Sequence, residues 1–188
     1  MSNSNANVIT RNLHGKFGDQ VVFRTSDGET ITANVPDTYN SKPSEAQLAA
    51  RERFREAVLW AKSTLADPEK LAEYSAKASR HMTAYTLAIT DYLRAPKIIE
   101  IDVTNYSGHA GDLIAVKAID DFKVKEVKVV IAGPDGTILE KGACELAVSG
   151  IYWMYTATAE NDPPQGSVIT ATAKDNPGHT GTMSVTIA

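Results

Sequence analysis

Four histidines, one cysteine and a few clustered charges are the side chains with which this sequence could do chemistry. His14, His81, His109 and His179 lie far apart, on turns or at a helix start. None forms the i, i+4 pair by which a helix holds zinc. His109 and His179 could meet at one end of a β-domain, although turn histidines are the plainer reading. Asp120, Asp121 and Asp175 are expected to gather at one pole of that domain. Carboxylates and carbonyls there could serve calcium, but no 12-residue calcium loop is present. Asp also caps turns through its own side-chain hydrogen bonds, and that role is preferred here.

Gly15-Lys16-Phe17-Gly18 has the glycines and lysine of a phosphate loop. It lacks the spacing, the Ser/Thr and the following helix that phosphate binding needs, so it reads as a turn. Cys144 lies in a β segment with no nearby histidine and reads as a small structural residue. One cysteine excludes an internal disulfide and a four-cysteine zinc site. Arg51, Arg53, Arg55, Lys62 and Arg80 share their region with Glu45, Glu52 and Glu56. That is a solvated mixed-charge face, not an aromatic-interleaved basic patch. No acid–base pair or activated nucleophile satisfies the requirements of catalysis. The sequence therefore assigns no catalytic, cofactor-binding or metal-ligating residue, and the chain reads as a non-enzyme with no cofactor.

The elements that would carry these residues fall into two parts. Residues 1–95 hold 12 basic and 11 acidic residues, and residues 96–188 hold 7 and 12. The net charge of −4 over 188 residues argues against a polyanion partner such as nucleic acid. No apolar run reaches the roughly 20 residues that span a bilayer, so no membrane insertion is expected. The opening MSNSNANVIT has no basic, apolar or cleavage region of a Sec signal. The expected location is cytoplasmic, or extracellular by a non-Sec route.

In the first part, 8–13 reads as a short strand, and Gln20–Thr25 with Glu29–Val35 as a hairpin around Asp27-Gly28. Ile31, Ala33 and Val35 form its half-buried face. Pro36 ends it, and a linker runs to Pro43. Ser44 and Gln47 fit a capping box that opens a helix over 44–65. Phe54, Ala57, Val58, Ala61 and Leu65 make its apolar stripe. Asp67-Pro68 opens a second helix over 68–77. A third, 79–93, carries Met82, Tyr85, Ile89 and Leu93 on one side. From Lys97 the period becomes two: Ile99/Ile101/Val103, Ile114/Val116/Ala118, Val127/Val129/Ile131, Ile151/Trp153/Tyr155, Ile169/Ala171/Ala173 and Met183/Val185/Ile187. Seven or eight short strands in about 90 residues mark a β-sandwich. Trp153 is its expected plug, at a truncation cost of about 3–5 kcal/mol.

The second part resembles bacterial immunoglobulin-like domains. The resemblance is carried by Ala118-Ile119-Asp120-Asp121, Gly133-Pro134-Asp135-Gly136, Trp153-Met154-Tyr155 and Ala173-Lys174-Asp175-Asn176-Pro177-Gly178. It implies a strand ending in an A-x-D-x-x-G turn, with His179 where the family usually has Asn. It speaks to fold and not to function. The first part resembles an uncharacterised Bacteroidetes-type family with a Gly-Lys-x-Gly hairpin, a proline and a Gln-bearing helix. The matching residues are Gly15-Lys16-Phe17-Gly18, Val21–Arg24, Asp27-Gly28, Pro36 and Gln47 to Phe54. That resemblance transfers no activity.

The expected fold class is α+β: an N-terminal β-hairpin and three-helix domain over 1–95, then an immunoglobulin-like antiparallel β-sandwich over 96–188. The expected role is a non-enzymatic structural subunit that forms a homo-oligomer or polymer, in a filament or larger particle. Pairing of residues 1–13 or of the 20–35 hairpin with a neighbouring copy would drive it. The alternatives are a phage-like or contractile-particle component, and a monomeric immunoglobulin-like binding or adhesion module. In the binding module, exposed Tyr39, Tyr106 and Tyr152 would stack on a ligand such as a glycan.

Overall fold

The structure, a computed structural model, describes residues 2–3, 13–26, 29–35, 42–79 and 81–188. Residues 8–12 of the first expected strand, the Asp27-Gly28 turn, Tyr39 and Arg80 lie outside the described residues. The fold is α+β. It divides into two compact units, Met1–Ser44 and Glu45–Ala188.

The first unit is a four-stranded antiparallel sheet of β1 (Ser2–Asn3), β2 (Gly15–Phe17), β3 (Val21–Ser26) and β4 (Glu29–Asn34), in the order β1-β4-β3-β2. The expected hairpin is β3–β4, in register from Val21↔Asn34 to Ser26↔Glu29. Gly15 and Gly18 take φ of 99° and 58° at either end of β2. Glycine enters that left-handed region without a Cβ penalty, so the Gly-Lys-x-Gly run is a turn and edge strand.

The alternation predicts Ile31, Ala33 and Val35 as a half-buried face, and all three are half-buried. Thr30, on the other face, is the buried residue among those described in this unit, at 2% exposure.

The second unit opens with three helices, α1 (Glu45–Thr64), α2 (Pro68–Lys77) and α3 (Ala84–Leu93). Asp67 caps α2 by accepting the Glu69 N–H at 2.9 Å, with Pro68 at the first helical position. α3 starts five residues later than its spacing predicts. Ser79 and Met82 exchange backbone hydrogen bonds of 2.9 and 3.2 Å, and Thr83 then caps the helix by accepting the Thr86 N–H. The local bonds of that turn compete with the helix and displace its start.

The buried face of α3 is Leu87, Ala88, Ile89 and Asp91, while Met82 and Tyr85 are exposed. On α1, Ala57 and Ala61 are buried, and Val58 and Leu65 pack partly against the same cluster. Phe54 continues that stripe but is 51% exposed, because cover on α1 begins at Ala57. Trp60, absent from the predicted stripe, packs against Tyr74 and Tyr92 at 6.4 and 5.7 Å.

Eight strands follow: β5 (Lys97–Asp102), β6 (Leu113–Ile119), β7 (Glu126–Ala132), β8 (Ile138–Ala143), β9 (Glu145–Leu146), β10 (Tyr152–Thr156), β11 (Val168–Lys174) and β12 (Thr180–Thr186). They form two antiparallel sheets, β5-β6-β10-β9 and β12-β11-β7-β8. One shared core holds Ile114, Val116, Val127, Val129, Ile131 and Ile169, all fully buried. Each such side chain contributes about 1.5–3 kcal/mol by leaving water.

Two expectations fail here for local reasons. A register shift between Ile98 and Glu100 turns Ile99 outward and leaves Ile98 to pack on the core. Trp153 is half-buried, and Tyr155 is the buried aromatic of β10.

The compact-unit boundary falls at 44/45, whereas the change of sequence period falls near 95/96. Phe122, from the β6–β7 turn, explains the difference. It stacks on Tyr74 of α2 at 3.8 Å between ring centres, inside the helical cluster. Lys77 of α2 donates to the Phe122 carbonyl and lies over its ring. Three short helices cannot enclose a core of their own, and the sandwich completes it.

Candidate functional site

The first unit offers an open surface. Among its described residues no apolar side chain is buried. Phe17, on edge strand β2, is 77% exposed. The sequence expects the opening residues to pair with a neighbour. In the structure Ser2 and Asn3 pair with Thr32 and Ile31 of the same chain. The β3–β4 hairpin is flanked by β2 and β1, so the two edges of this sheet are the two-residue β1 and the three-residue β2, and either could accept another strand.

The second unit concentrates its polar groups at the pole where the helices meet the sandwich. Asp120 and Asp175 lie at this pole, and each caps a turn, the role preferred for them in the sequence. Asp120 Oδ2 accepts the Lys123 N–H at 3.0 Å. Asp175 Oδ1 accepts the N–H groups of Gly178 and His179 at 2.7 and 2.6 Å. The A-x-D-x-x-G turn is thus built with His179 in it, and the imidazole Nδ1 stands 3.4 Å from Asp175 Oδ2. Asp121 turns away to Arg94 at 3.2 Å.

Asp91 of α3 joins this group and was not anticipated. It is fully buried, and Tyr74 Oη donates to its Oδ2 at 2.5 Å. Burial pushes the Asp91 carboxyl up to about 7, and the neighbouring Asp120 and Asp175 charges add to the rise. Burial also raises Tyr74, and burial raises Asp175. A carboxylate on a mixed helix gives no sequence signal of this kind. The only clue was Asp among the apolar residues of Leu87–Leu93. Among the described residues no group of three His, Cys, Asp or Glu is arranged to hold a metal ion. A groove of about 490 Å³ opens beside the pole, lined by Arg94, Pro96, Lys97, Ile119 and Asp121.

His109 sits at the opposite pole from His179, because the β5–β6 and β11–β12 turns leave opposite ends of the sheets. Its Nδ1 lies 2.9 Å from Glu160 Oε2, a partner that raises the imidazole and lowers the carboxyl. His14 and His81 are exposed.

Cys144 is buried, and burial pushes its thiol up to about 12, which suits packing and not nucleophilic attack. Of the expected aromatic platform, Tyr39 lies outside the described residues, and neither Tyr106 nor Tyr152 is exposed. Tyr106 is buried, its Oη accepting from Asn161 Nδ2 at 3.0 Å, and Tyr152 lies under Lys117. Arg53 donates to the Leu93 carbonyl at 2.6 Å, and Arg55 pairs with Glu52. No helix among the described residues is long and apolar enough to cross a membrane.

No protein-family model matches the chain, so the Bacteroidetes-type resemblance rests on its motif alone. No curated protein matches it. Among solved structures, it is similar to an engineered protein (20% identity, 43% of this chain, 15% of that chain, TM-score 0.33). It is also similar to a tetra-tandem repeat in the extending region of a large adhesion protein (14% identity, 50% of this chain, 24% of that chain, TM-score 0.36). A conjugative transposon lipoprotein from Bacteroides eggerthii matches at 9% identity over 50% of this chain and 94% of that one, TM-score 0.25. The chain spans less than a quarter of the first two proteins' length, and no activity or partner is taken from any of the three.

Proposed function

We propose that the chain is a non-enzymatic structural subunit that self-associates through its N-terminal sheet, with an immunoglobulin-like sandwich as the body of the subunit. One observation carries this reading: the sheet of the first unit buries no apolar side chain among its described residues. A four-stranded sheet gains stability by burying one face, and this one has Val22, Ile31, Ala33 and Val35 on one face, all only half-covered. A second copy supplies both the missing layer and a strand for the β2 edge. The product is a homo-oligomer or polymer, as in a filament or a larger particle.

Light scattering across a concentration series tests it. The full chain is expected to gain mass with concentration. Phe17→Glu, which places a charge on the β2 edge, is expected to lower that mass, and so is deletion of residues 2–13. A full chain that stays monomeric at high concentration would sink the proposal and favour a monomeric binding or adhesion module.

A further inference from the structure

We propose that Asp91 is a proton-operated clasp between the helices and the sandwich: protonated, it bridges Tyr74 and Asp120, and ionised, it loosens α2 and α3 from the Asp120 and Asp175 turns. The geometry is that of four side chains from four segments, of which Tyr74, Asp91 and Asp175 are fully buried and Asp120 is half-buried, with Asn176 beside Tyr74. Tyr74 comes from α2, Asp91 from α3, Asp120 from the β6–β7 turn and Asp175 from the β11–β12 turn.

The hydrogen-bond inventory places the proton. Asp120 and Asp175 each have backbone N–H donors that hold a negative charge in place. Asp91 has one donor, the Tyr74 phenol on Oδ2. Among the described residues no donor reaches Asp91 Oδ1 or Asp120 Oδ1, and both atoms are buried. Asp120 raises the Asp91 carboxyl both through its charge and through a side-chain hydrogen bond. A proton on Asp91 gives that side chain a donor to share with Asp120, and it removes the uncompensated charge whose burial is costly. Asp91 also sits in the last turn of α3, where the helix dipole disfavours negative charge.

Among the described residues, the other charged groups of the surroundings do not supply a counter-charge to Asp91. On α2, Glu73 pairs with Lys70 at 3.4 Å and Lys77 is engaged by the Phe122 carbonyl. On the β6–β7 turn, Lys123 reaches Glu73 at 4.0 Å and Asp121 pairs with Arg94. On the β11–β12 turn, His179 faces Asp175 and packs edge-on against Tyr92 of α3. From α1, Trp60 stands against Tyr74. Loss of the Asp91 proton to water therefore leaves three carboxylates facing one another, and the segments that carry them separate. With the proton's affinity set near neutrality, the clasp answers to ordinary changes of pH. This proposal stands apart from self-association.

Trp60 reports the event. The only other tryptophan, Trp153, is in the sandwich, so a Trp153→Phe background isolates the signal. In EDTA, Trp60 emission is expected to shift to the red in one single-proton step near pH 7. Asp91→Asn is expected to abolish the step. Tyr74→Phe, which removes the donor that favours the ionised form, is expected to move it to higher pH. The absence of any step between pH 5 and 9, or its survival in Asp91→Asn, would overturn the proposal. So would reversal of the red shift at pH 8 by millimolar calcium or magnesium, since a cation and not a proton would then neutralise the pocket. Should Asp91→Asn fail to fold, carbon-13 titration of the Asp91 carboxyl in the unmodified chain decides: a midpoint below pH 5 overturns the clasp.

Discussion

The carbonyl oxygen of Pro96 stands 1.9 Å from the point where a Cβ on Gly181 would be. β5 and β12 belong to different sheets, and this approach closes one side of the sandwich. The obstacle is backbone, which cannot rotate aside as a long side chain can. Gly181→Ala must push the two strands apart and is expected to lose about 1–3 kcal/mol or more. Thr182→Ala, one residue on and exposed, is expected to change stability by less than about 0.5 kcal/mol. Urea midpoints of the two variants check the contrast.

Glu140 plays the corresponding part on the other side, between β8 and β10. At 9% exposure, its Oε2 accepts from Tyr155 Oη at 3.0 Å and from the Thr158 N–H and Oγ1 at 2.8 Å each. Glu140→Ala leaves these donors without their acceptor and is expected to cost about 2 kcal/mol or more. Glu140→Gln keeps one oxygen in place and is expected to cost less than half as much. Equal losses in the two variants, read by urea denaturation, would assign the role to volume and not to hydrogen bonding.

The sandwich was legible in the sequence because both its sheets are covered, so period two and burial coincide. Val127, Val129, Ile131, Ile169, Ala171 and Ala173 all lie where their alternation places them. Alternation misleads where one residue is inserted. Ile99 reads as a core residue of β5, yet the bulge turns it out. Ile114→Ala is therefore expected to cost about 2–5 kcal/mol and Ile99→Ala well under 1 kcal/mol. Comparable losses at the two positions would contradict the register of β5.

The carboxylate pole was half legible, for a related reason. Asp120 and Asp175 announce themselves as turn residues through Asp-Asp and Asp-Asn-Pro-Gly. Asp91 lies within a helix, where an acidic residue ordinarily marks the solvent face. Its burial depends on Tyr74, seventeen residues away, and on a turn from the sandwich. Helical periodicity carries no information about either. The sheet of the first unit was less legible: its strands show a pattern, but none of its described apolar side chains is buried.

The pH dependence of stability follows from groups shifted in opposite directions. Asp91 rises from 3.8 to about 7 on folding, chiefly through burial. The folded chain then binds more protons than the unfolded chain between those values, so stability falls as pH climbs from about 4 to about 7 and levels off above. Asp102, Asp112, Asp135 and Glu160 are lowered by hydrogen bonds from Thr104, His109, Thr137 and His109 respectively. Their contribution is complete above the ordinary carboxylate values and is lost as pH falls through their folded ones. These four are exposed and screened, so their acid limb is shallow. Maximal stability is thus expected near pH 4–5, below the neutral range usual for soluble domains. Urea midpoints measured at pH 3, 4.5 and 8 should rise and then fall. Asp91→Asn should keep the acid limb and make the other shallower, because a neutral amide has no proton to lose; Asp175, raised by burial, and His109, raised by Glu160, keep part of that limb. A profile that keeps rising to pH 8 in the unmodified chain would mean that Asp91 is ionised in the folded state.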